Sequence, residues 1–376
     1  MKVKRYMNQS RHNKVIISGG GTGGHIFPAI SIANALRRLD KDIEILFVGA
    51  EGRMEMDKVP AAGYKIIGLP VAGFNRKQPW KNIPVLFKLL RSLLKAIGII
   101  RDFRPDVVVG VGGYASGPVL KQAGRSGIPT LLQEQNSYAG VTNRLLARGA
   151  AKICVAYDGM EKYFPAQKIV KTGNPVRQSF DNLESIRAEA CSHFGLEQGK
   201  PVVLVLGGSL GAGSINNSLA GSIEVLKGSG YQWLWQTGKN YLAGVNAVVT
   251  ASASPNIHVH GFIDRMDFAF AAADVIISRA GAGTISELCL VGKPVILVPS
   301  PNVAEDHQTR NAMALVSKGA ALMVADSQSA ASLVSTAINL VSDSELREKL
   351  SANISLLAER DSDIRIAREV LSLVKE

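Results

Sequence analysis

"IISGGGTGGHIFPAISIA" (Ile16–Ala33) passes from a short β-branched run through five glycines and one histidine into apolar residues at helical spacing. Strand, bare turn, helix is the first crossover of an open parallel sheet, and the turn is where such sheets bind anions. The order recurs at "VLVLGGSLGAGSINNSLA" (Val203–Ala220), a weak internal repeat. Around the first copy lie "EILFVGA", "PDVVVGVGG", "IPTLLQEQN" and "AKICVAY". Around the second lie "QWLWQTG", "IHVHGF", "DVIISRAGAG" and "KPVILVPSP". Continuous apolar runs separated by helix-sized intervals predict parallel strands buried on both faces. The expected fold is therefore α/β, with two Rossmann-like doubly wound domains facing a cleft.

The 376 residues suit two domains of ordinary size. A break is expected at "KTGNPVRQSF" (171–180), where Gly173, Asn174 and Pro175 stop any helix. That places an N-terminal domain over 1–177 and a second over 178–360, with a last helix in 361–376 returning to the first. Charge separates the same halves. Through Phe180 there are 28 Lys+Arg against 11 Asp+Glu, or +17; the remainder holds 15 against 20, or −5. The basic half is expected to face something anionic. The three cysteines, Cys154, Cys191 and Cys289, have no ligand spacing and read as reduced packing residues. The basic start, followed only by "VII", does not read as a secretory signal. No run approaches the roughly 18 apolar residues of a membrane span.

Three further glycine loops fall at strand ends: "GVGGYASGP" (Gly110–Pro118), "LGGSLGAGS" (Leu206–Ser214) and "SRAGAGTISE" (Ser278–Glu287). Four such loops predict glycine loops on both walls of a cleft, a layout for a two-substrate transfer with a diphosphate on at least one side. Gly19-x-Gly21-x-x-Gly24 matches the dinucleotide fingerprint formally. However, no acidic residue ends the following strand "EILFVGAEGR", and that chemistry does not require His25. Single residues keep two readings each. His25 is either a satisfied ring at a helix start or a general base. Glu134 either holds loop amides or takes part in catalysis. Thr284-x-x-Glu287 is either a capping box or carries a carboxylate for ribose hydroxyls. Ser209 caps a helix or donates to phosphate, and Arg177 is a boundary ion pair or a cation beside a diphosphate. Asp40-Lys41-Asp42 and Asp361-Ser362-Asp363 read as solvated surface, and no metal cluster is expected.

"AGFNRKQPWKNIPVLFKLLRSLLKAIGIIRDFR" (Ala72–Arg104) holds eight Lys/Arg and one Asp. Lys88, Arg91 and Lys95 share a helical face, and leucines, Phe87 and Ile97 cover much of the rest. The segment is either a core helix with solvated lysines, or a docking surface for an anionic membrane together with Phe74 and Trp80. Low aromatic content and no recognition module argue against a nucleic-acid partner.

Taken together and in order, "GGGTGGHIFPA", "VGAEGRME", "GVGGYASGP", "EQNSYAGVTNR", "TGNPVR", "LGGSLGA", "HGFIDRM", "SRAGAGTISE" and "EDHQTRNA" resemble the MurG family of peripheral membrane glycosyltransferases. The resemblance covers nearly the whole chain. It implies a glycosyltransferase B-type fold and a metal-independent, inverting transfer with no cofactor. N-acetylglucosamine would pass from UDP-N-acetylglucosamine to the 4-hydroxyl of undecaprenyl-diphosphate-linked muramoyl-pentapeptide (lipid I to lipid II), in peptidoglycan synthesis. It also implies a place on the cytoplasmic face of the bacterial inner membrane.

By position, Thr22, Gly23, Gly24, Asn136 and Arg177 would line the donor sugar and diphosphate, and Ser209 would hold a phosphate. The Ile263 backbone would pair with uracil. Ala282, Gly283, Thr284, Ile285, Ser286 and Glu287 would seat the uridine, Glu287 taking the ribose hydroxyls, and Gln308 would reach the sugar. His25, Tyr114 and Glu134 match catalytic, acceptor-side positions, with His25 the expected base and Glu134 its rival or orienting partner. Ser137-Tyr138 departs from the small residues or proline more usual there. A UDP-sugar epimerase or hydrolase, or a nonenzymatic nucleotide-sugar-binding scaffold, would use the same donor loops.

Overall fold

The computed structural model describes residues 12–73, 83–176, 180, 182–208, 210–303 and 306–374. The chain divides into two compact units. The first contains 1–135, 139–176 and 361–376; the second contains 136–138 and 177–360.

The first unit is built on seven parallel strands: β1 (Lys14–Ser18), β2 (Glu44–Ala50), β3 (Lys65–Leu69), β4 (Val107–Gly110), β5 (Thr130–Glu134), β6 (Lys152–Val155) and β7 (Ile169–Lys171). Their order is β3-β2-β1-β4-β5-β6-β7. Alternation along β1 explains its apolar run. Val15 and Ile17 enter one core with the helix Gly23–Leu39, while Ile16 enters a second core on the other face with Ala96, Ile99 and Ile100. The helix Ser362–Leu371 completes the first core with Ile366, Ala367 and Val370. Its Asp363 is buried and ion-paired with Arg38, so it is not the solvated surface residue the Asp-Ser-Asp string suggested.

The second unit carries six parallel strands: β8 (Val202–Leu206), β9 (Gln232–Gln236), β10 (Ile257–His260), β11 (Val275–Ser278), β12 (Val295–Leu297) and β13 (Leu322–Met323). They are ordered β10-β9-β8-β11-β12-β13. Trp233 and Trp235 are fully buried in β9, and each indole N–H keeps a partner, at Ser229 Oγ (3.2 Å) and Asn216 Oδ1 (2.9 Å). All three cysteines are free and buried. Burial pushes the Cys154 and Cys289 thiols up to about 12, far from a reactive thiolate.

Strand order reverses between β1 and β4 in one sheet and between β8 and β11 in the other. These four strands are the ones that carry the four glycine loops. Each pair of loops therefore opens at the carboxyl end of a topological switch point, where open α/β sheets bind ligands.

The helix Ile83–Phe103 packs on the first unit through Ser92, Ala96, Ile99 and Ile100. Leu86, Leu90, Leu94 and Ile97 repeat at three- and four-residue spacing beside Phe87 and form an exposed apolar stripe, with Phe87 67% and Leu94 62% accessible. Lys88 and Arg91 are exposed beside it, and Lys95 pairs with Glu51 at 2.9 Å. No described helix is long and apolar enough to cross a membrane. Phe74 and Trp80 lie outside the described residues.

Candidate functional site

In the first unit the glycines have distinct physical causes. Gly20 and Gly21 take φ of +145° and +90°, and a Cβ on Gly20 would lie 2.1 Å from Glu55 Oε1. The Glu55 side chain is 1% exposed and accepts the Gly21 N–H on both oxygens (3.0 and 3.1 Å) and the Ala50 N–H (2.9 Å). The space that the sequence assigns to a phosphate is filled here by the protein's own carboxylate. Gly113 lets the loop after β4 lie directly on Gly20, since a Cβ there would meet the Gly20 carbonyl oxygen at 2.4 Å. Around Gly23 and Gly24 no backbone presses in; their nearest neighbours are the Phe27 ring and Thr22 Oγ1. These two therefore present bare backbone at the protein surface.

His25 stands in the first turn of Gly23–Leu39, for which Thr22 is the N-cap. Its Nδ1 lies 3.3 Å from Thr22 Oγ1, and its ring rests against Gly112, where a Cβ would approach within 2.9 Å. The imidazole is partly exposed and held by two glycine loops at once. Tyr114 is exposed, its ring close to Gly73. Glu134 differs: it is 2% exposed, and its Oε2 accepts the Gly140 N–H (3.0 Å) and Asn143 Nδ2 (2.9 Å). The loop-amide reading is the one its geometry matches. Behind it, Gln133 Nε2 donates to Asn174 Oδ1 (3.1 Å), Asn174 Nδ2 to the Gln135 carbonyl (3.0 Å), and Gln135 Nε2 to the Val111 carbonyl (2.8 Å). This buried polar network ties the "TGNP" turn to the loop after β4, and each buried donor in it has an acceptor.

In the second unit the helix Ala282–Val291 starts directly after β11 with Gly281 as its N-cap. Thr284 is then the third helical residue, so the capping-box reading of Thr284 and Glu287 fails. Both are partly exposed. Ile285 is buried packing, and Ser286 Oγ donates back to the Ala282 carbonyl at 3.1 Å. Ala282, Gly283, Thr284 and Glu287 are each only partly buried. Gln308 Oε1 accepts the Ala280 N–H (3.2 Å) and the Ser300 N–H (2.9 Å), joining the ends of β11 and β12. The Ile263 N–H is given to Gln236 Oε1 at 2.9 Å. Asn136 Oδ1 accepts from Asn311 Nδ2 at 3.2 Å. Ser209 and Arg177 lie outside the described residues.

Three residues escaped the sequence reading. Arg279 donates to the Val298 and Pro299 carbonyls and to Ser214 Oγ (2.9 Å), and pairs with Asp326, holding the second unit's loops in register. Glu55 and Asn143 do the same in the first unit. Their motifs "VGAEGRME", "SRAG" and "YAGVTNR" were visible, but nothing local to each says where the side chain goes. Among the described residues, no group of three His, Cys, Asp or Glu side chains is placed to hold a metal ion.

One unit thus offers an imidazole over bare backbone, and the other a helix N-terminus with a carboxylate inside its second turn. Taken separately, an accessible imidazole can accept a proton, and a helix N-terminus favours an anion. Residues 15–155 match the glycosyltransferase family 28 N-terminal domain, and residues 202–365 match the C-terminal domain of that family. Over 365 residues the chain is 60% identical to a Bacteroides fragilis protein, spanning 96% of each. That protein is named UDP-N-acetylglucosamine–N-acetylmuramyl-(pentapeptide) pyrophosphoryl-undecaprenol N-acetylglucosamine transferase. The crystal structure of Acinetobacter baumannii MurG matches with a TM-score of 0.80 at 28% identity, covering 96% of this chain and 99% of that one. The UDP-GlcNAc 2-epimerase of Neisseria meningitidis matches at 0.66 and 16% identity over 96% of this chain and 100% of its own, a likeness of fold alone.

Proposed function

The chain belongs to glycosyltransferase family 28, and from that premise we propose how its own residues perform the transfer its relatives are named for. It moves N-acetylglucosamine from UDP-N-acetylglucosamine to the muramoyl sugar of a pentapeptide carried on pyrophosphoryl-undecaprenol. The reaction inverts the anomeric carbon: the acceptor 4-hydroxyl attacks opposite UDP while a base removes its proton. His25 is that base. The observation that carries this assignment is the contrast between a partly exposed imidazole at the mouth of the loop and a Glu134 carboxylate buried on Gly140 and Asn143.

Glu287 accepts the ribose hydroxyls, and the amides at the start of Ala282–Val291 face the departing diphosphate, aided by Ser209 and Arg177. Thr22, Gly23 and Gly24 leave room for the sugar being transferred. The test is to incubate the purified protein with labelled UDP-N-acetylglucosamine, with and without lipid-linked muramoyl-pentapeptide. Label is expected in lipid only when acceptor is present, and EDTA is expected to leave the rate unchanged. Free sugar or an epimer in place of labelled lipid would mean that another UDP-sugar chemistry operates.

The exposed stripe of Ile83–Phe103 and its flanking basic residues support docking on an anionic membrane surface, and we place the enzyme on the cytoplasmic face. Changing Phe87→Glu together with Leu94→Glu is expected to weaken binding to anionic vesicles at least about tenfold, since two exposed apolar side chains of the docking stripe would each be replaced by a negative charge. Turnover of a short-chain soluble acceptor should stay at the parent rate. Unchanged vesicle co-sedimentation would remove this helix from the membrane contact.

A further inference from the structure

We propose that Glu55 is a positioning residue for sugar transfer: an internal anion that shapes the first glycine loop and so sets His25 and the bare backbone of Gly23 and Gly24. The proposal rests on the assignment of His25 as the base. Glu55 stands in the short helix Glu55–Ala61 after β2, far from the loop in sequence, yet its carboxylate is wrapped by that loop. Both oxygens accept the Gly21 N–H, and Oε1 also accepts the Ala50 N–H. The backbone of Gly20 and Gly49 closes around it so tightly that a Cβ on either would fall within 2.1 and 2.6 Å of Glu55 atoms.

Glycine loops bind anions by aiming N–H groups at them. In this loop the anion is already supplied, and two consequences follow. The substrate's diphosphate has no seat on the Gly21 amide, because that amide is taken and a second anion would be repelled by the first. The loop also keeps its shape before substrate arrives, because φ of +145° and +90° at Gly20 and Gly21 is pinned by charge-assisted hydrogen bonds. Thr22 and His25 are the next polar residues along the chain, and the imidazole rests on Gly112 of the neighbouring loop. A loosened Gly20–Gly21 peptide therefore displaces the base, not the donor seat in the second unit.

The test compares Glu55→Ala, Glu55→Gln and His25→Ala in steady-state kinetics, with thermal unfolding to set the folded fraction. Glu55→Ala is expected to lower kcat about 100-fold, the cost of a base misplaced by about 1 Å, with KM for UDP-N-acetylglucosamine within about twofold of the parent. Added formate, which fits the vacated cradle, is expected to restore about a tenth of the lost rate or more, whereas chloride at equal ionic strength restores none. Glu55→Gln keeps the volume but turns an N–H₂ toward the loop amides; a loss of about tenfold is expected, and it decides the matter if the alanine variant does not fold.

Parent-like kcat in folded Glu55→Gln, a rise in KM at constant kcat, or a loss in Glu55→Ala that formate does not relieve overturns the proposal. If His25→Ala keeps the parent rate, the base assignment itself is wrong. If His25→Ala is inactive while the Glu55 variants are parent-like, only the role of Glu55 falls.

Discussion

His25→Ala is expected to lower kcat about 1000-fold while leaving the affinity for UDP-N-acetylglucosamine nearly unchanged, within the range general-base removal usually costs. The imidazole belongs to the first unit and its ring contacts Thr22 and Gly112, so its loss leaves the nucleotide seat of the second unit intact. Glu134→Gln is the informative companion. Its Oε2 accepts from two donors, the Gly140 N–H and Asn143 Nδ2, and a glutamine oxygen accepts both. Glu134→Gln should therefore keep kcat within about fivefold, as expected for a conservatively replaced anchor of a loop. Single-turnover rates with saturating donor separate the two cases. The reverse pattern, an active His25→Ala and an inactive Glu134→Gln, would transfer the proton to Glu134.

The second large effect is expected at Glu287. Hydrogen bonds to a charged group are worth about 1.5–3 kcal/mol each when the partner is removed, so Glu287→Ala should weaken UDP-N-acetylglucosamine by roughly 100-fold. Glu287 is partly exposed and one turn beyond Gly283–Thr284, so truncation opens no core cavity, and thermal stability should barely move. Calorimetric titration of UDP makes the comparison without turnover. A uridine analogue lacking the ribose hydroxyls should bind parent and variant equally. If it still discriminates between them, Glu287 acts somewhere other than the ribose.

Sequence reading reached the fold through its central strands. The interiors of β1, β4, β8 and β11 are buried on both faces, which demands the continuous apolar runs VII, VVV, VVLVL and VII, and a glycine loop follows each strand. The strands it did not single out, β3, β7 and β13, are sheet edges. There "KIIGL", "IVK" and "LM" are only partly covered, and the burial pressure that writes a long apolar run is absent.

The site was legible as a set of loops and much less so as a set of roles. A glycine run states that something lies close to the backbone; it does not state that the neighbour is Glu55 of the same chain. Glu134 and His25 both follow strand ends in sequence, and only packing separates the buried carboxylate from the accessible ring. Thr284-x-x-Glu287 has the spacing of a capping box, yet Gly281 starts the helix, because the chain leaves β11 already turned. Local spacing fixes which residues share a face but not where an element begins.

The helix Ser362–Leu371 has a consequence for how the protein comes into being. Its Ile366, Ala367 and Val370 finish a core begun by Val15 and Ile17. The usual order on the ribosome, in which the leading domain folds before the next is made, is therefore inverted. Most of the first unit is translated first, yet its core lacks Ile366, Ala367 and Val370 until the second unit has been made. The core beneath the helix that carries His25 is finished only after the second unit has been synthesised.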